Sequence, residues 1–351
     1  MDPIRLESQP VWNGPETTTF GIFGTSPESP DGKRICYTRF LRTPAPNDKA
    51  PVSGQLWICD HNLANHRKLT DFRIKPIHNA SRASWIDNDR IAYSAGSEIQ
   101  IIDIDSSPHL SGPWCGDLGH SALGPRLLFW SLNKDGQDAV FVIDADTGTV
   151  DQLTSTAQIR ACTEAATGSR IGSFSIKHLQ YNPDGSRIGF RLHGPATDML
   201  TMRPDGSELC VYPAQKPVHQ LWFNNDTIMG VWKRAAPAGK DSHYFRWNLR
   251  GEMVEQLAGP ISHGAASPDR KWYAGETCEY FASPIEMAIY RRGEERPRAL
   301  CFSHSFASLT WGRRFHVNPA FGRNGKRLYF WQAVADDKVE ARYVDLTPIL
   351  A

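Results

Sequence analysis

Asn182-Pro183-Asp184-Gly185-Ser186-Arg187-Ile188-Gly189-Phe190 is a tight turn that opens into a β-strand. Proline presets φ for the turn, Asn and Asp side chains bond back to their own backbone, and glycine accepts a left-handed conformation. The residues behind the turn are short, apolar and β-favouring. The same phrase returns along the chain. Ser29-Pro30-Asp31-Gly32 leads into Arg34–Thr38, Ile86-Asp87-Asn88-Asp89 into Arg90–Tyr93, and Gly124-Pro125 into Arg126–Trp130. Asn224-Asn225-Asp226 leads into Thr227–Val231, Ser267-Pro268-Asp269-Arg270 into Trp272–Ala274, and Arg323-Asn324-Gly325 into Arg327–Phe330. The turns centre on positions 31, 88, 124, 184, 225, 269 and 324. The Gly124-Pro125 copy lacks the Asp-Gly pair.

Such spacing is the signature of propeller repeats, which take roughly 40–50 residues to build a four-stranded blade. A second turn follows within the units: Ile102–Asp105, Ile143–Gly148, Met202–Gly206, Asn248–Gly251 and Arg291–Glu294. These read as hairpins between the third and fourth strands of a blade. No long 3.6-residue period competes, and Gln158–Cys162 reads as a single helical turn. The expected fold is all-β, a seven-bladed β-propeller in one domain over residues 1–351. A plain β-sandwich is the weaker alternative, because seven like-phased turns disfavour it. Closing the ring removes a free sheet edge. The N-terminal run Ile4–Glu7 is expected to pair with the C-terminal run Ala341–Val344 for that purpose.

Composition bounds the partners. Apolar residues make up 40% of the 351 and charged residues 22%, as in a globular chain with ample core. There are 39 basic and 38 acidic side chains, for a formal net charge of +1. A general nucleic-acid binder carries a basic excess, so none is expected here. No apolar run reaches the ~20 residues of a membrane span. The seven cysteines are scattered without tight spacing, a poor disulfide framework. Met1–Arg5 carries no apolar signal core, so the expected location is the cytoplasm, or the periplasm or exterior if a leader has been removed.

In a propeller, the strand before each first-type turn lines the central channel. Six residues before the turns stand Thr25, Arg82, Leu118, His178, His219, His263 and Asn318. Three of those seven are histidine, in a chain with 12 histidines overall, so imidazoles are expected to concentrate at one end of the hub. His120 and His316 lie two residues from channel positions and share their faces. Converging imidazoles suit metal binding or proton transfer. His263, Cys278, His304 and His316 come from two adjacent repeats and make a zinc-like set of one thiolate and three imidazoles, closed and therefore structural. Their gaps of 15, 26 and 12 residues are unlike a compact finger. No dinucleotide fingerprint, phosphate loop, His-Glu-x-x-His or Gly-x-Ser-x-Gly elbow occurs.

The segment Lys177–Pro195, with Ile261–Asp269, Phe315–Phe321 and Thr25–Lys33, resembles the motifs of propeller polysaccharide lyases, a group that includes oligogalacturonate lyases and propeller-type ulvan lyases. The resemblance spans nearly the whole chain, and its strong motifs cover about a fifth of it. Oligogalacturonate lyases carry His-Pro-His-Pro in the last blade and a manganese site. Here the stretch is His316-Val317-Asn318-Pro319, with one imidazole where two are expected. The Cys278 set resembles instead the zinc site of ulvan lyases. The resemblance therefore implies an anionic polysaccharide or oligosaccharide substrate, ulvan-type in the first instance, with Zn2+ favoured and Mn2+ as the alternative.

Such enzymes cut the bond to O4 of a uronic acid by β-elimination. The carboxylate must be neutralised, a base must take the C5 proton, and an acid must protonate the departing oxygen. Arginine suits the first task by its fixed charge and planar fork. Histidine and tyrosine suit the others. Arg191 is the candidate for carboxylate neutralisation and His120 for the base, with His178 or His193 sharing or replacing it. Tyr244 is a candidate acid or base, and His219 and Arg246 are candidate sugar ligands. A non-catalytic propeller that binds glycans or proteins is the alternative from another class, because fold alone does not decide function. A peptidase accessory propeller is a weaker third reading.

Overall fold

The structure, a computed structural model, describes residues 2–42, 51–74, 82–120, 122–131, 139–194, 197–213, 217–233, 242–259, 261, 263–277, 285–304, 317–335 and 338–350. Among them the strands group into seven sheets around one axis, the expected seven-bladed propeller. Blade 1 is built from Thr17–Thr19, Arg34–Phe40, Val52–Asp60 and Arg67–Ile74. Blade 4 follows the same order with Ser175–Tyr181, Ile188–His193, Met199–Met202 and Cys210–Val211, and blade 5 with Val218–Trp222, Thr227–Lys233, Ser242–Asn248 and Met253–Ala258. The hairpins read from sequence join third to fourth strands as expected. No helix among the described residues is long and apolar enough to cross a membrane.

The turn chemistry explains the repeat. Asn182 Oδ1 accepts from Arg187 N at 2.9 Å, and Asp184 Oδ1 from Ser186 N at 2.9 Å. Gly185 takes φ +74°, where a Cβ is costly. Neighbouring turns are also stitched together. Asp31 N donates to Asn88 Oδ1 at 2.9 Å, and Asp184 N to Asn225 Oδ1 at 3.1 Å, so a polar residue in one blade's turn caps the turn of the blade before. Between blades the apolar faces meet as core. One cluster joins blades 3 and 4 through Leu128, Val140, Phe190, Leu192 and Leu200.

Two expectations need correction. Ile4–Arg5 does not pair with the C-terminal strand. It runs parallel to Ala299–His304 as a fifth strand of blade 6, with Ile4 opposite Ala299. Closure falls to Gln9–Pro10, the outermost strand of blade 7, with Gln9 opposite Tyr343 and Pro10 opposite Arg342. The ring is closed by the two chain ends as expected, a few residues further along the N-terminal segment. The seam is locked by Glu28, which is 1% exposed and accepts from Tyr329 Oη at 2.7 Å and Arg323 N at 2.6 Å. The helical turn at Gln158–Cys162 is in fact a twelve-residue helix, Thr156–Thr167. Ser155 and Gln158 form a capping box at its start, and Gly168 ends it in a left-handed conformation. Ile159 and Thr163 are its buried face.

Candidate functional site

Six residues before the turn positions, the inner segments of four blades have an unusual backbone. Arg82, His178, His219 and Asn318 occupy equivalent places in blades 2, 4, 5 and 7, and all are left-handed, with φ of +50°, +55°, +51° and +50°. Non-glycine residues rarely adopt this region, and it costs of order 1–3 kcal/mol. In blades 4 and 5 the irregularity appears as a register shift between Lys177 and Gln180 and between Val218 and Leu221. These bulges re-aim side chains that simple alternation would send elsewhere.

The result is a ring of imidazoles around Phe23. Its ring centroid lies 5.2 Å from that of His120, 5.1 Å from His178, 6.0 Å from His219 and 5.0 Å from His263. Phe23 is carried into the hub by a turn in which Gly24 adopts φ +74°, and a Cβ on Gly24 would lie 2.5 Å from Leu221 Cδ1. Thr25 Oγ1 donates to His120 O at 2.5 Å and ties this turn to blade 3.

The four imidazoles form two pairs. His120 Nε2 and His178 Nδ1 share a hydrogen bond of 3.1 Å. His219 and His263 stack with centroids 3.8 Å apart. His120 and His263 are buried, while His178 and His219 are partly exposed. Burial pushes His120 down to about 3, with Arg82 adding to the effect. His178 is also held well below the ordinary value, first by burial and then by His120, His263, Arg191 and Arg82. Both rings are therefore neutral at neutral pH. His120 is the more deeply buried of the pair, and the shared hydrogen bond holds it against the ring of His178.

His263 has a partner that the sequence reading missed. Its Nδ1 bonds to Oε1 of Glu276, which is 2% exposed, and Glu276 Oε2 accepts from Val317 N at 3.0 Å. A carboxylate on Nδ1 fixes the tautomer and turns Nε2 outward, the arrangement common behind metal-ligating histidines. The signal in the sequence was a lone acid in the apolar run Trp272–Thr277.

Arg191 and His193 lie on the second strand of blade 4, opposite Lys177 and Ser175. Arg191 Nε donates to Thr197 O at 3.4 Å, and His193 is exposed at the rim. His193 is less basic than an ordinary imidazole, first through burial and then through Lys177 and Arg191.

Two expected site residues lie elsewhere. Tyr244 is 1% exposed; its hydroxyl donates to His219 O at 3.0 Å and accepts from Gly264 N at 3.1 Å. It ties the inner strands of blades 5 and 6 together. Arg246 pairs with Glu255 at 2.9 Å and lies over Phe223 at 4.9 Å. Phe223 begins the blade 5 turn, so this guanidinium belongs to the far end of the inner strands, away from the histidines.

Of the four expected metal ligands, Cys278 and His316 lie outside the described residues. His304 ends the outer strand of blade 6. That is three strand spacings, about 14 Å of backbone, from the inner strand that His263 opens. Among the described residues no group of three metal-ligating side chains converges. At the turn end of the channel a separate cavity of about 420 Å³ is lined by Gln180, Asn182, Arg270 and Arg323, among others.

No known family model and no curated protein matches the chain in sequence. In fold it is similar to an oligogalacturonate lyase from Vibrio parahaemolyticus, at 15% identity and a TM-score of 0.73, over 97% of this chain and 94% of that one. It is similar also to an oligogalacturonate lyase in complex with manganese, at 14% identity and a TM-score of 0.70, over 98% and 96%. The propeller domain of the Trilobed protease from Pyrococcus furiosus is a more distant likeness, at 12% identity and a TM-score of 0.55, over 93% and 95%. At these identities the likeness is one of fold.

Proposed function

We propose that this chain is a polysaccharide lyase that cleaves a uronic-acid-containing oligosaccharide or polysaccharide by β-elimination. The observation that carries the reading is the ring of four imidazoles, His120, His178, His219 and His263, around Phe23, with Lys177 and Arg191 facing each other on the first two strands of blade 4. Near-full-length likeness in fold to two proteins called oligogalacturonate lyases supports it. Ulvan was the first expectation from sequence. The neighbours favour galacturonate oligosaccharides as the first substrate to test.

In this reading Arg191 pairs with the carboxylate of the reacting uronate. That pairing lowers the cost of removing the adjacent C5 proton, because negative charge flows onto the carboxylate as the proton leaves. His178, neutral and half-exposed, takes that proton, and His120 behind it fixes its ring through the shared hydrogen bond. The C5 electrons form the C4=C5 double bond, and the C4–O4 bond breaks. The departing oxygen takes a proton from His193 at the rim. His193 acts from its protonated form, which its lowered basicity makes the minor one at neutral pH and the stronger acid.

A divalent metal is part of the proposal. His263, oriented by Glu276, is suited to hold one, with Cys278 and His316 as the further ligands expected from the sequence, whereas His304 sits on the outer strand of the blade. Zinc fits the thiolate, and manganese is the alternative. Such an ion would supply fixed positive charge near the substrate. Metal analysis of dialysed protein beside His263→Ala tests it: stoichiometric zinc or manganese lost in the variant supports the site, and equal content in both removes it.

The reaction is tested by ultraviolet absorbance of the unsaturated uronate during digestion of oligogalacturonate, pectate and ulvan. A rise with one of them, reduced about 10²–10⁴-fold in His178→Gln, supports the reading. No rise from folded protein with any of the three overturns it.

A further inference from the structure

Beside the histidines lies a charge arrangement that the elimination step does not use. Arg82, 8% exposed, reaches from blade 2 to blade 3. Its Nη1 donates to Leu118 O at 2.7 Å, its Nη2 lies 3.4 Å from Asp117 Oδ2, and its Nε has no hydrogen-bond partner among the described residues. Lys177 approaches the same oxygen from blade 4, with Nζ at 3.6 Å. Two cations thus share one carboxylate oxygen, each beyond the roughly 2.7–2.9 Å of a strong charge-assisted bond. A buried guanidinium with a long ion pair and an unpaired N–H is costly unless another anion completes it.

A second oddity adds to this. Lys177 stands directly opposite Arg191 on the paired strand, and like charges so placed are destabilising. Their heads diverge, Lys177 towards Asp117 in blade 3 and Arg191 towards Thr197 in blade 4. Neighbouring stems with separated heads give two positions for negative charge, side by side. Burial weakens the hold of Lys177 on its proton and Arg82 weakens it further, while Asp117 opposes them. An incoming anion would act in the same sense as Asp117.

We propose that Arg82 and Lys177, with Asp117 as their resident counter-ion, form a second anion subsite that binds the carboxylate of the sugar next to the one being cleaved. The inference rests on the lyase reading for the identity of the sugar. The chemistry it requires is a chain with carboxylates on successive residues, so a substrate esterified at the neighbouring unit binds less well. Asp117 competes with the substrate for both cations, which gives the subsite a variant of opposite sign.

The test compares wild type, Lys177→Gln and Asp117→Asn, by steady-state elimination on trigalacturonate and by calorimetric binding of saturated digalacturonate, which needs no turnover. Lys177→Gln is expected to raise the digalacturonate Kd about tenfold and KM with it, the loss of one charge-assisted contact, while kcat moves only through the altered acidity of His193. Asp117→Asn is expected to lower both constants. If wild type turns over but neither variant moves KM or Kd, the subsite is wrong and the lyase reading stands. If wild type cleaves nothing yet binds digalacturonate with these shifts, the subsite stands and the lyase reading falls. No binding of digalacturonate to folded wild type overturns the subsite.

Discussion

His120 is buried as a neutral imidazole, so acid must destabilise this protein through it. Burial moves the ring from its ordinary value of 6.5 to about 3. In the unfolded chain the same ring takes up a proton near 6.5. Between those values the unfolded state binds the extra proton, so stability rises with pH across this window and falls as pH is lowered through it. Above 6.5 neither state is protonated and the contribution is flat; below about 3 both states are protonated. At about pH 5 the unfolded state gains about 2 kcal/mol relative to neutral pH from this one residue, 1.36 kcal/mol for each unit below its free value. His178 acts in the same direction. The perturbation is His120→Gln, which keeps a polar side chain of similar reach without a titrating group. Urea unfolding at about pH 7 and about pH 5 is the assay. Wild type is expected to lose about 2 kcal/mol more than the variant between those conditions. Equal losses in the two proteins, or His120 ring resonances that titrate near the ordinary value, would refute the burial argument.

Three other outcomes follow from the packing. Glu28→Ala leaves Tyr329 Oη and Arg323 N without their acceptor at the closing seam, and should cost about 2–4 kcal/mol, read as an earlier urea midpoint. Phe23→Ala empties the centre of the imidazole ring and should cost about 3–5 kcal/mol; water entering the space should raise the titration midpoint of His120 by nuclear magnetic resonance, and an unmoved midpoint would contradict the role given to the plug. Ser155→Ala removes one half of the capping box on Thr156–Thr167. The expected loss is about 1 kcal/mol, seen as faster amide exchange in the first turn of that helix with the propeller strands unaffected.

Local chemistry carried the fold into the sequence. A turn of this kind bonds within itself, as Asn182 to Arg187 N shows, so seven turns of related chemistry could be read without knowing what they pack against. The phase of His178, His219 and His263 relative to those turns was legible for the same reason. The helix Thr156–Thr167 was underread because its strength lies in its caps and in two buried residues, Ile159 and Thr163, too few to make a long apolar stripe. The burial of Tyr244 and the pairing of Arg246 with Glu255 were not legible, because residue type and strand position say nothing of depth or of which end of a blade a side chain reaches.

The sequence by itself determined seven blades and imidazoles on their inner strands, since both depend on residues a few positions apart. Only the tertiary structure decided who meets whom around the ring. His120 meets His178 across 58 residues, and Arg82 reaches Leu118 and Asp117 across 36 and 35. Glu276 stands behind His263, and Gln9–Pro10, not Ile4–Arg5, closes the last blade. The reason is geometric. Contacts between blades are set by how the sheets wheel about the axis and by left-handed residues that rotate the inner strands, and neither leaves a period in the chain.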